Sequence, residues 1–326
     1  MGDPRGIGPE ICAQVLANDE LDDNVSVTVV GASKIIHAAA GAMKLEFDPQ
    51  ILGMDAAALP ESGMAVMDLG NFPPNELDPR EPSASSGRAS LDYIEKAVEL
   101  ATSGEADAVV TGPINKEAIA AAGSKHPGHT EMLADLAGGG QPVMLLISSE
   151  MKVAFATTHV ALRDVPDAIS TDKVRHTIRT LHDGLKTYFG VTNPSIAVCG
   201  LNPHCGDGGR FGTEEDDVIE PAVSEMRASG MKVEGPMPSD TVFSNVVRDF
   251  YDGFVALYHD QGMIPIKFCG IQSVTNVTLG LPIIRTSVGH GTAYNIAGKG
   301  SADGASMMRA ICTAAQMVRA SKSGSA

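Results

Sequence analysis

No apolar run in this 326-residue chain approaches the ~20 residues that span a bilayer, so no transmembrane helix is expected. Basic residues are few: 24 Lys and Arg stand against 40 Asp and Glu, a formal net charge of −16, and no basic tract offsets it. That balance argues against nucleic acid or an anionic membrane as a partner. It leaves an anionic small-molecule substrate open, because the local field matters more than the sum. Much of the acid lies on expected helix faces such as TEEDDVIE, where a solvated surface accounts for it. Cysteine is scarce as well. The five present form no CxxC pair and no regular spacing, which points to reduced thiols in a cytoplasmic setting rather than a disulfide framework. No signal-peptide pattern is found, and the chain opens directly on a glycine-rich turn with no strand ahead of it.

What is present is an ordinary globular balance, 43% hydrophobic and 20% charged residues, in a chain long enough for two domains or one large one. Short β-rich runs alternate with helical stretches. The strand candidates are VSVTVVG (25–31), AVMDLG (65–70), DAVVTG (107–112), VMLLIS (143–148), KVAFATT (152–158), SIAVCGL (195–201), FVALYH (254–259) and VTLGLPIIRTS (277–287). Between them, Leu91, Ile94, Val98 and Ala101 keep helical spacing, as do Val174, Ile178, Leu181 and Leu185. Thr213 and Asp216 have the spacing of a capping box for a helix running toward Glu225, with Asp in place of the usual Glu or Gln. This alternation predicts α/β architecture with largely parallel sheets. The Pro-rich stretch LGNFPPNELDPREPSASSG reads as an excursion within a domain, and the tail ASKSGSA is expected to fray. No clean linker appears, which favours domains that share the chain discontinuously.

Three hydrophobic runs deliver a histidine at or just beyond their carboxyl ends: KVAFATTHV at His159, SIAVCGLNPHCGDGG at His204 and FVALYHDQGM at His259. In open α/β folds, ligands gather beyond the carboxyl ends of strands. Three imidazoles with an open position form a common catalytic zinc arrangement, and imidazole also suits cobalt or nickel. The competing reading is three unrelated loop-end histidines. Asp260 either orients the neighbouring His259 from behind or caps the next turn. Cys205 is either a thiolate ligand or, more simply, a small buried filler.

GDPRGIGPEI places Gly6 and Gly8 before Pro9 and Glu10, which are helix-start signals; free amides there can hold an anion or admit a ligand to the backbone. It is not a full GxGxxG, and no strand precedes it. TSVGHGTAYNIAGKGSADG (286–304) is either a long surface loop or a loop closing over a large polar ligand, with His290 and Asn295 available to an adenine or ribose. KHPGHTEM offers His129 and Thr130 at a helix start, an anion site by type. Lys267, Asn276 and Arg285 add two cations and an amide, residue types suited to clamping phosphate.

Taken together, MGDPRGIGPE, TGPINK, GHTE, ATTHVALRD, LNPHCGDGGRFGTEE, PSDTVF, YHDQG, NVTLGLPIIRTS and HGTAYNIAGKG resemble the 4-hydroxythreonine-4-phosphate dehydrogenase family of pyridoxal phosphate biosynthesis. The motifs run in order from residue 1 to about 304. GIGPE and HGTAYNIAGKG also resemble the wider isocitrate and isopropylmalate dehydrogenase superfamily. The resemblance implies a metal-dependent dehydrogenase linked to NAD or NADP, with two α/β/α domains, mostly parallel sheets and an active site in the interdomain cleft. It implies a homodimer in which the second subunit lends residues to that site. The corresponding division is 1–122 plus 262–326 for the dinucleotide-binding domain, and 123–261 for metal, substrate and dimerisation.

By motif match, the family's metal-ligand histidines fall on His159, His204 and His259, with Zn2+ the first choice and Co2+, Mg2+ or Ni2+ as alternatives. Substrate contacts fall on His129, Thr130, Lys267, Asn276 and Arg285. The acidic active-site residue of the family's P-x-D-T segment falls on Asp240, and Asp240 or Lys116 relays the proton. The dinucleotide loop corresponds to His290, Gly291, Thr292, Ala293 and Asn295. The family carries a short apolar strand ahead of the MGDP turn that is not seen here, so the native start lies upstream or that strand is lost. Gly289 and Asn295 stand where many members have Asp, and GMIPIK departs from the biosynthetic Leu-Pro-Val-Leu-Lys. These departures lean toward branches that oxidise 4-phospho-D-threonate or 4-phospho-D-erythronate, or toward a cis-dihydrodiol dehydrogenase. The rivals are a zinc hydrolase or lyase, for which HGTAYNIAGKG has no use, and a non-catalytic metabolite binder, in which a broken histidine set would be expected.

Overall fold

The computed structural model describes residues 1–326 other than 19, 20, 23, 79, 271–273 and 324–326. Among the described residues eleven strands follow in chain order: β1 (Val27–Gly31), β2 (Gln50–Gly53), β3 (Met64–Asp68), β4 (Ala108–Thr111), β5 (Val143–Ile147), β6 (Lys152–Phe155), β7 (Ser195–Cys199), β8 (Lys232–Met237), β9 (Gly253–Ala256), β10 (Thr275–Leu279) and β11 (Ile284–Ser287). Helices separate most of them, and the architecture is α/β with mostly parallel pairing. No helix among the described residues is long and apolar enough to cross a membrane.

The chain divides into two compact units, Met1–Gln141 with Leu281–Ala315, and Pro142–Gly280 with Gln316–Ala326. Relative to the expected division, 123–141 go with the first unit, and 262–280 and 316–326 with the second. Packing explains the first two differences. Helix His129–Leu136 seats Met132 and Leu133 in a core with Leu91, Ile94 and Val98, whereas helix His259–Phe268 seats Ile266 in a core with Val153 and Phe254.

In the first unit, β1, β3 and β2 form a parallel sheet in that order, and β4 pairs in parallel with β11. Helix Ala84–Thr102 begins where the Ser83 hydroxyl accepts from the Ser86 amide at 3.1 Å, a side-chain cap that satisfies a donor the helix cannot. Its Leu91, Ile94 and Val98 are buried as their spacing predicts. Gly87 on the same helix lies against Ala118: a Cβ there would fall 2.0 Å from the Ala118 carbonyl oxygen. The helix therefore meets Lys116–Ala121 backbone to backbone, which fixes where Lys116 starts.

In the second unit the strand order is β10-β5-β6-β9-β7-β8. β5 is antiparallel to both β10 and β6, while β6, β9, β7 and β8 run parallel. Helix Thr171–Phe189 is capped by Ser170. Its Val174, Ile178, Leu181 and Leu185 are each 0% exposed, so the helical stripe is wholly core.

Four expectations change. VTLGLPIIRTS is two strands rather than one, because Gly280 turns at φ +79° between β10 and β11; only glycine adopts that conformation cheaply. β2 and β8 had no counterpart among the strand candidates. Thr213 provides no side-chain cap; a single π turn, Glu215–Ile219, leads instead into helix Glu220–Ala228. Helix Ala305–Ser323 carries the expected frayed tail in order through Ser323, and the last three residues lie outside the described ones.

Candidate active site

In the second unit, parallel pairing brings two of the strand-end histidines together. β6 and β9 are in register with Phe155 opposite Ala256. The pairing continues past both strands: the Ala156 amide donates to the Ala256 carbonyl at 2.8 Å, and the Thr157 amide and hydroxyl donate to the Leu257 carbonyl at 3.1 and 2.6 Å. Two residues further on each chain stand His159 and His259, whose ring centroids are 6.0 Å apart. His259 is the first residue of helix His259–Phe268, and its Nδ1 lies 2.6 Å from an Asp260 carboxylate oxygen. A carboxylate oxygen can only accept, so Nδ1 is the donor in this contact and Nε2 is the nitrogen left to meet a metal. Gly262 lets this helix lie close to β6, since a Cβ would fall 2.6 Å from the Phe155 ring.

His204 follows β7 in a loop of unusual backbone. His204, Cys205 and Asp207 have φ of 54°, 53° and 45°, and Gly206, Gly208 and Gly209 are also left-handed. Non-glycine residues held there cost on the order of 1 kcal/mol or more each and persist only when their surroundings dictate it. Glu215, which is 2% exposed, anchors the segment just ahead of the turn. Its carboxylate accepts from the Leu201 and Asn202 amides, each at 2.7 Å, and from Asn202 Nδ2 at 2.9 Å. It opens the single π turn, a feature that often accompanies functional sites. The Cys205 thiol is pushed up by burial and then by Glu215 and Asp240, which keeps it protonated and disfavours the thiolate-ligand alternative. The same influence places the Asp240 charge close to the His204 loop. Among the described residues no three His, Cys, Asp or Glu side chains form a group that could hold a metal ion. The donor chemistry of His159 and His259 fits a divalent metal; the third histidine is not gathered with them in one chain.

Lys267 is exposed in the last turn of the helix that His259 opens, about 12 Å along its axis at 1.5 Å per residue. Asn276 lies on β10 with its Oδ1 buried and without a hydrogen-bond partner, an acceptor whose burial is costly unless something meets it. A surface hollow of about 610 Å³, lined by Ser195, Lys232 and Tyr251 among others, lies at the amino ends of β7, β8 and β9 and contains none of the predicted site residues.

The first unit carries the other predicted residues. Arg285 on β11 is 3% exposed and donates to the Thr111 hydroxyl of β4 at 2.7 Å. Burial brings its pKa down to about 10, still charged near neutrality. His129 opens helix His129–Leu136; it is half-buried overall, but its Nε2 is sealed from solvent and has no hydrogen-bond partner. Desolvation, then the charge of Arg285, hold its pKa well below 6.5. A neutral imidazole facing a buried guanidinium is a place where an anion would be welcome, because a counter-charge offsets the desolvation of the cation. Thr130 follows on the same turn. Lys116 is brought beside them: a Cβ on Gly128 would lie 3.6 Å from the Lys116 Cε.

The glycine-rich segment beyond β11 is fastened along its length to helix Gly8–Leu16 and the turn before it. The Ile7 amide donates to the Thr292 carbonyl at 2.9 Å, and the Tyr294 hydroxyl donates to the Asp3 carboxylate at 2.8 Å. The Glu10 carboxylate, 2% exposed, accepts from the Gly298 amide at 3.0 Å and the Gly300 amide at 2.7 Å. Gln14 donates to the Ala302 carbonyl at 2.7 Å and accepts from the Gly304 amide at 3.0 Å. Burial holds the Asp3 carboxyl above the ordinary range and raises the Tyr294 hydroxyl as well. Thr292 is buried, Ala293 is left-handed at φ 45°, and His290, Gly291 and Asn295 are exposed. The loop thus has a fixed backbone and an open outer rim, as a ligand-holding loop requires. Asp3, Glu10, Gln14 and Glu215 were not singled out for these roles from sequence. A buried acid with no lysine or arginine at helical spacing was the available signal.

An α/β chain with strand-end histidines, a buried guanidinium–imidazole pair and a clamped glycine-rich loop has the parts of a dehydrogenase for small anionic substrates. The family described as Pyridoxal phosphate biosynthetic protein PdxA matches residues 23–314, and the chain belongs to that family. A 4-hydroxythreonine-4-phosphate dehydrogenase of Geobacter metallireducens is 43% identical over 99% of this chain and 96% of its own length. A D-threonate 4-phosphate dehydrogenase of Cupriavidus necator is 42% identical over 97% of this chain and 95% of its own. The crystal structure of 4-hydroxythreonine-4-phosphate dehydrogenase from Klebsiella pneumoniae superposes with a TM-score of 0.88 at 39% identity, covering 98% of this chain and 96% of that one.

Proposed function

We propose that this chain is a metal-dependent, NAD- or NADP-linked dehydrogenase that oxidises the hydroxyl of a phosphorylated 3-hydroxy acid and releases carbon dioxide from the resulting keto acid. The observation that carries the reading is His129, neutral and unpartnered at Nε2 beside the charge of Arg285. It gives the phosphate a built anion site. His129, Thr130 and Arg285 are assigned to the phosphate, and Lys267 and Asn276 to the substrate as well. Holding a remote group in this way orients the reacting carbon without touching it, so substrate lacking the phosphate should lose turnover as well as affinity. Asp240 or Lys116 moves the proton. The loop His290, Gly291, Thr292, Ala293 and Asn295 is assigned to the dinucleotide, whose redox chemistry is its own.

His159, His204 and His259 are assigned to a divalent metal, Zn2+ first among Co2+, Mg2+ and Ni2+, in a homodimer in which each subunit lends residues to the other's site. Such a cation supplies Lewis acidity toward a hydroxyl and toward negative charge developing on oxygen. The working setting is taken as cytoplasmic.

The substrate is read as 4-hydroxythreonine-4-phosphate or a close relative. A second reading, oxidation of 4-phospho-D-threonate or 4-phospho-D-erythronate, is favoured by Gly289 and Asn295 in the loop and by the sequence GMIPIK. A panel of these phosphorylated acids with NAD and added zinc, followed by NADH absorbance and carbon dioxide release, decides between them. Reduction of NAD with one of the phosphorylated acids is expected. Hydrolysis without any need for dinucleotide, or equal turnover of phosphorylated and dephosphorylated acids, would sink the reading. Replacing His204 with Ala should abolish zinc binding and activity together; retention of both refutes its ligand role.

A further inference from the structure

One buried amide joins the three segments of the second unit that carry His204, His259 and Asp240. Gln261 is 8% exposed. Its Oε1 accepts from the Leu257 amide at 2.6 Å, two residues before His259. Its Nε2 donates to the Gly200 carbonyl at 2.7 Å, four residues before His204, and to the Ser239 hydroxyl at 2.8 Å, next to Asp240. Ser239 closes the triangle by donating to the same Gly200 carbonyl at 3.3 Å.

The chemistry of these partners fixes the orientation of the side chain. An amide N–H can only donate and a carbonyl can only accept, so Oε1 must face Leu257 and Nε2 must face Gly200. Of the common side chains of this length, only an amide offers both functions at once. Glutamate would set a carboxylate against the Gly200 carbonyl, and methionine would leave the Leu257 amide unmet. Beyond Gly200 the constraint continues without a break, because Glu215 fixes the Leu201 and Asn202 amides that follow. A shift at Gly200 is thereby passed to the left-handed turn at His204.

We propose that Gln261 is a positioning residue that sets the placement of His204 and Asp240 relative to His259. That these three side chains serve the reaction rests on the function proposed above; their placement by Gln261 does not. Groups behind a reacting constellation matter in proportion to the accuracy they confer. Losing one costs roughly 10–100-fold in activity or metal affinity, and a misplacement of about 1 Å costs on the order of 100-fold.

The test compares the full chain with Gln261→Met and Ser239→Ala, neither of which changes charge. Imidazole resonances are followed by long-range 15N–1H correlation, and kcat and KM by NADH formation. Gln261→Met should move the resonances of both His204 and His259. Ser239→Ala, the milder change, should move His204 and spare His259. The resonances of His129 and His290, in the other unit, should hold still in both variants and report an intact fold. In Gln261→Met kcat should fall 10–100-fold with KM for NAD unchanged. If His204 keeps its resonances in both variants, or moves only in proportion to general unfolding, the positioning role is overturned. If the resonances respond as stated while the wild-type chain reduces no NAD with any phosphorylated hydroxy acid, the placement stands and the proposed function falls.

Discussion

Acid should weaken this fold through one imidazole, and the size of the effect can be worked out. His129 is held well below 6.5 by desolvation and by Arg285, so the native state leaves it neutral where the unfolded chain would protonate it. A base whose folded pKa is depressed contributes its full stability above the unfolded value and loses it as pH falls below 6.5. With the native pKa far lower, moving from pH 7.5 to 5.5 costs at most about 1.4 kcal/mol, the free energy of protonating the unfolded imidazole at one unit below its pKa. His129→Gln keeps a polar side chain of similar reach and cannot titrate. Urea unfolding at the two pH values, followed by circular dichroism, should show the wild type losing up to about 1.4 kcal/mol more than the variant. Inorganic phosphate supplies a second arm. An anion beside the ring stabilises the imidazolium, raises the folded pKa and so shrinks the acid loss of the wild type, with no such effect on His129→Gln. Equal pH dependence in the two proteins, with or without phosphate, would falsify the assignment of a neutral, anion-ready imidazole.

Arg285→Met removes a buried cation whose hydrogen bonds to an anion are worth about 1.5–3 kcal/mol; KM for the phosphorylated acid should rise roughly 10–150-fold in NADH assays while that for NAD stays put. An equal KM would show that the phosphate is held elsewhere. Glu10→Gln replaces the carboxylate that receives the Gly298 and Gly300 amides. Those two amides should exchange with deuterium faster and NAD should bind about tenfold more weakly, as the loss of about 1.4 kcal/mol implies; unchanged exchange would mean that the clamp does not order the loop. Gly262→Ala drives a methyl into the Phe155 ring and should lower stability by about 1–3 kcal/mol, seen as an earlier urea midpoint. A neutral outcome there would mean that the helix backs away from β6 at little cost.

What the residue pattern revealed, and what it hid, follows from the range of the forces involved. The helical stripe Val174, Ile178, Leu181 and Leu185 is legible because periodicity alone decides which face is buried. The approach of His159 to His259 is foreshadowed because parallel strands bring their carboxyl ends to one edge of a sheet. The turn at Gly280 was hidden inside an unbroken apolar run, since a glycine within a strand and a glycine ending one look alike. β2 was equally hard to see: QILG is four residues long with one of them buried, too little alternation to register. Glu10 read as a first-turn acid, yet its partners lie 288 and 290 residues away. The segment leading into the turn at His204 is held by Glu215, eleven positions after that histidine, and no local rule joins them. Gln261 sat inside a quoted motif without a role, because its three partners come from three separate segments.

The stepwise pairing of β6 with β9 acts as a ruler. Neighbouring strands lie about 4.8 Å apart whatever side chains they carry, and the 6.0 Å between the two imidazoles inherits that spacing from the main chain. Exchanging side chains along either strand leaves the gap alone. Inserting or deleting one residue between Phe155 and His159 would change the reach of that connector by up to about 3.3 Å, one residue of extended chain, and so pull the ring out of its place beside His259. The connectors to the two histidines should therefore tolerate changes of composition far better than changes of length.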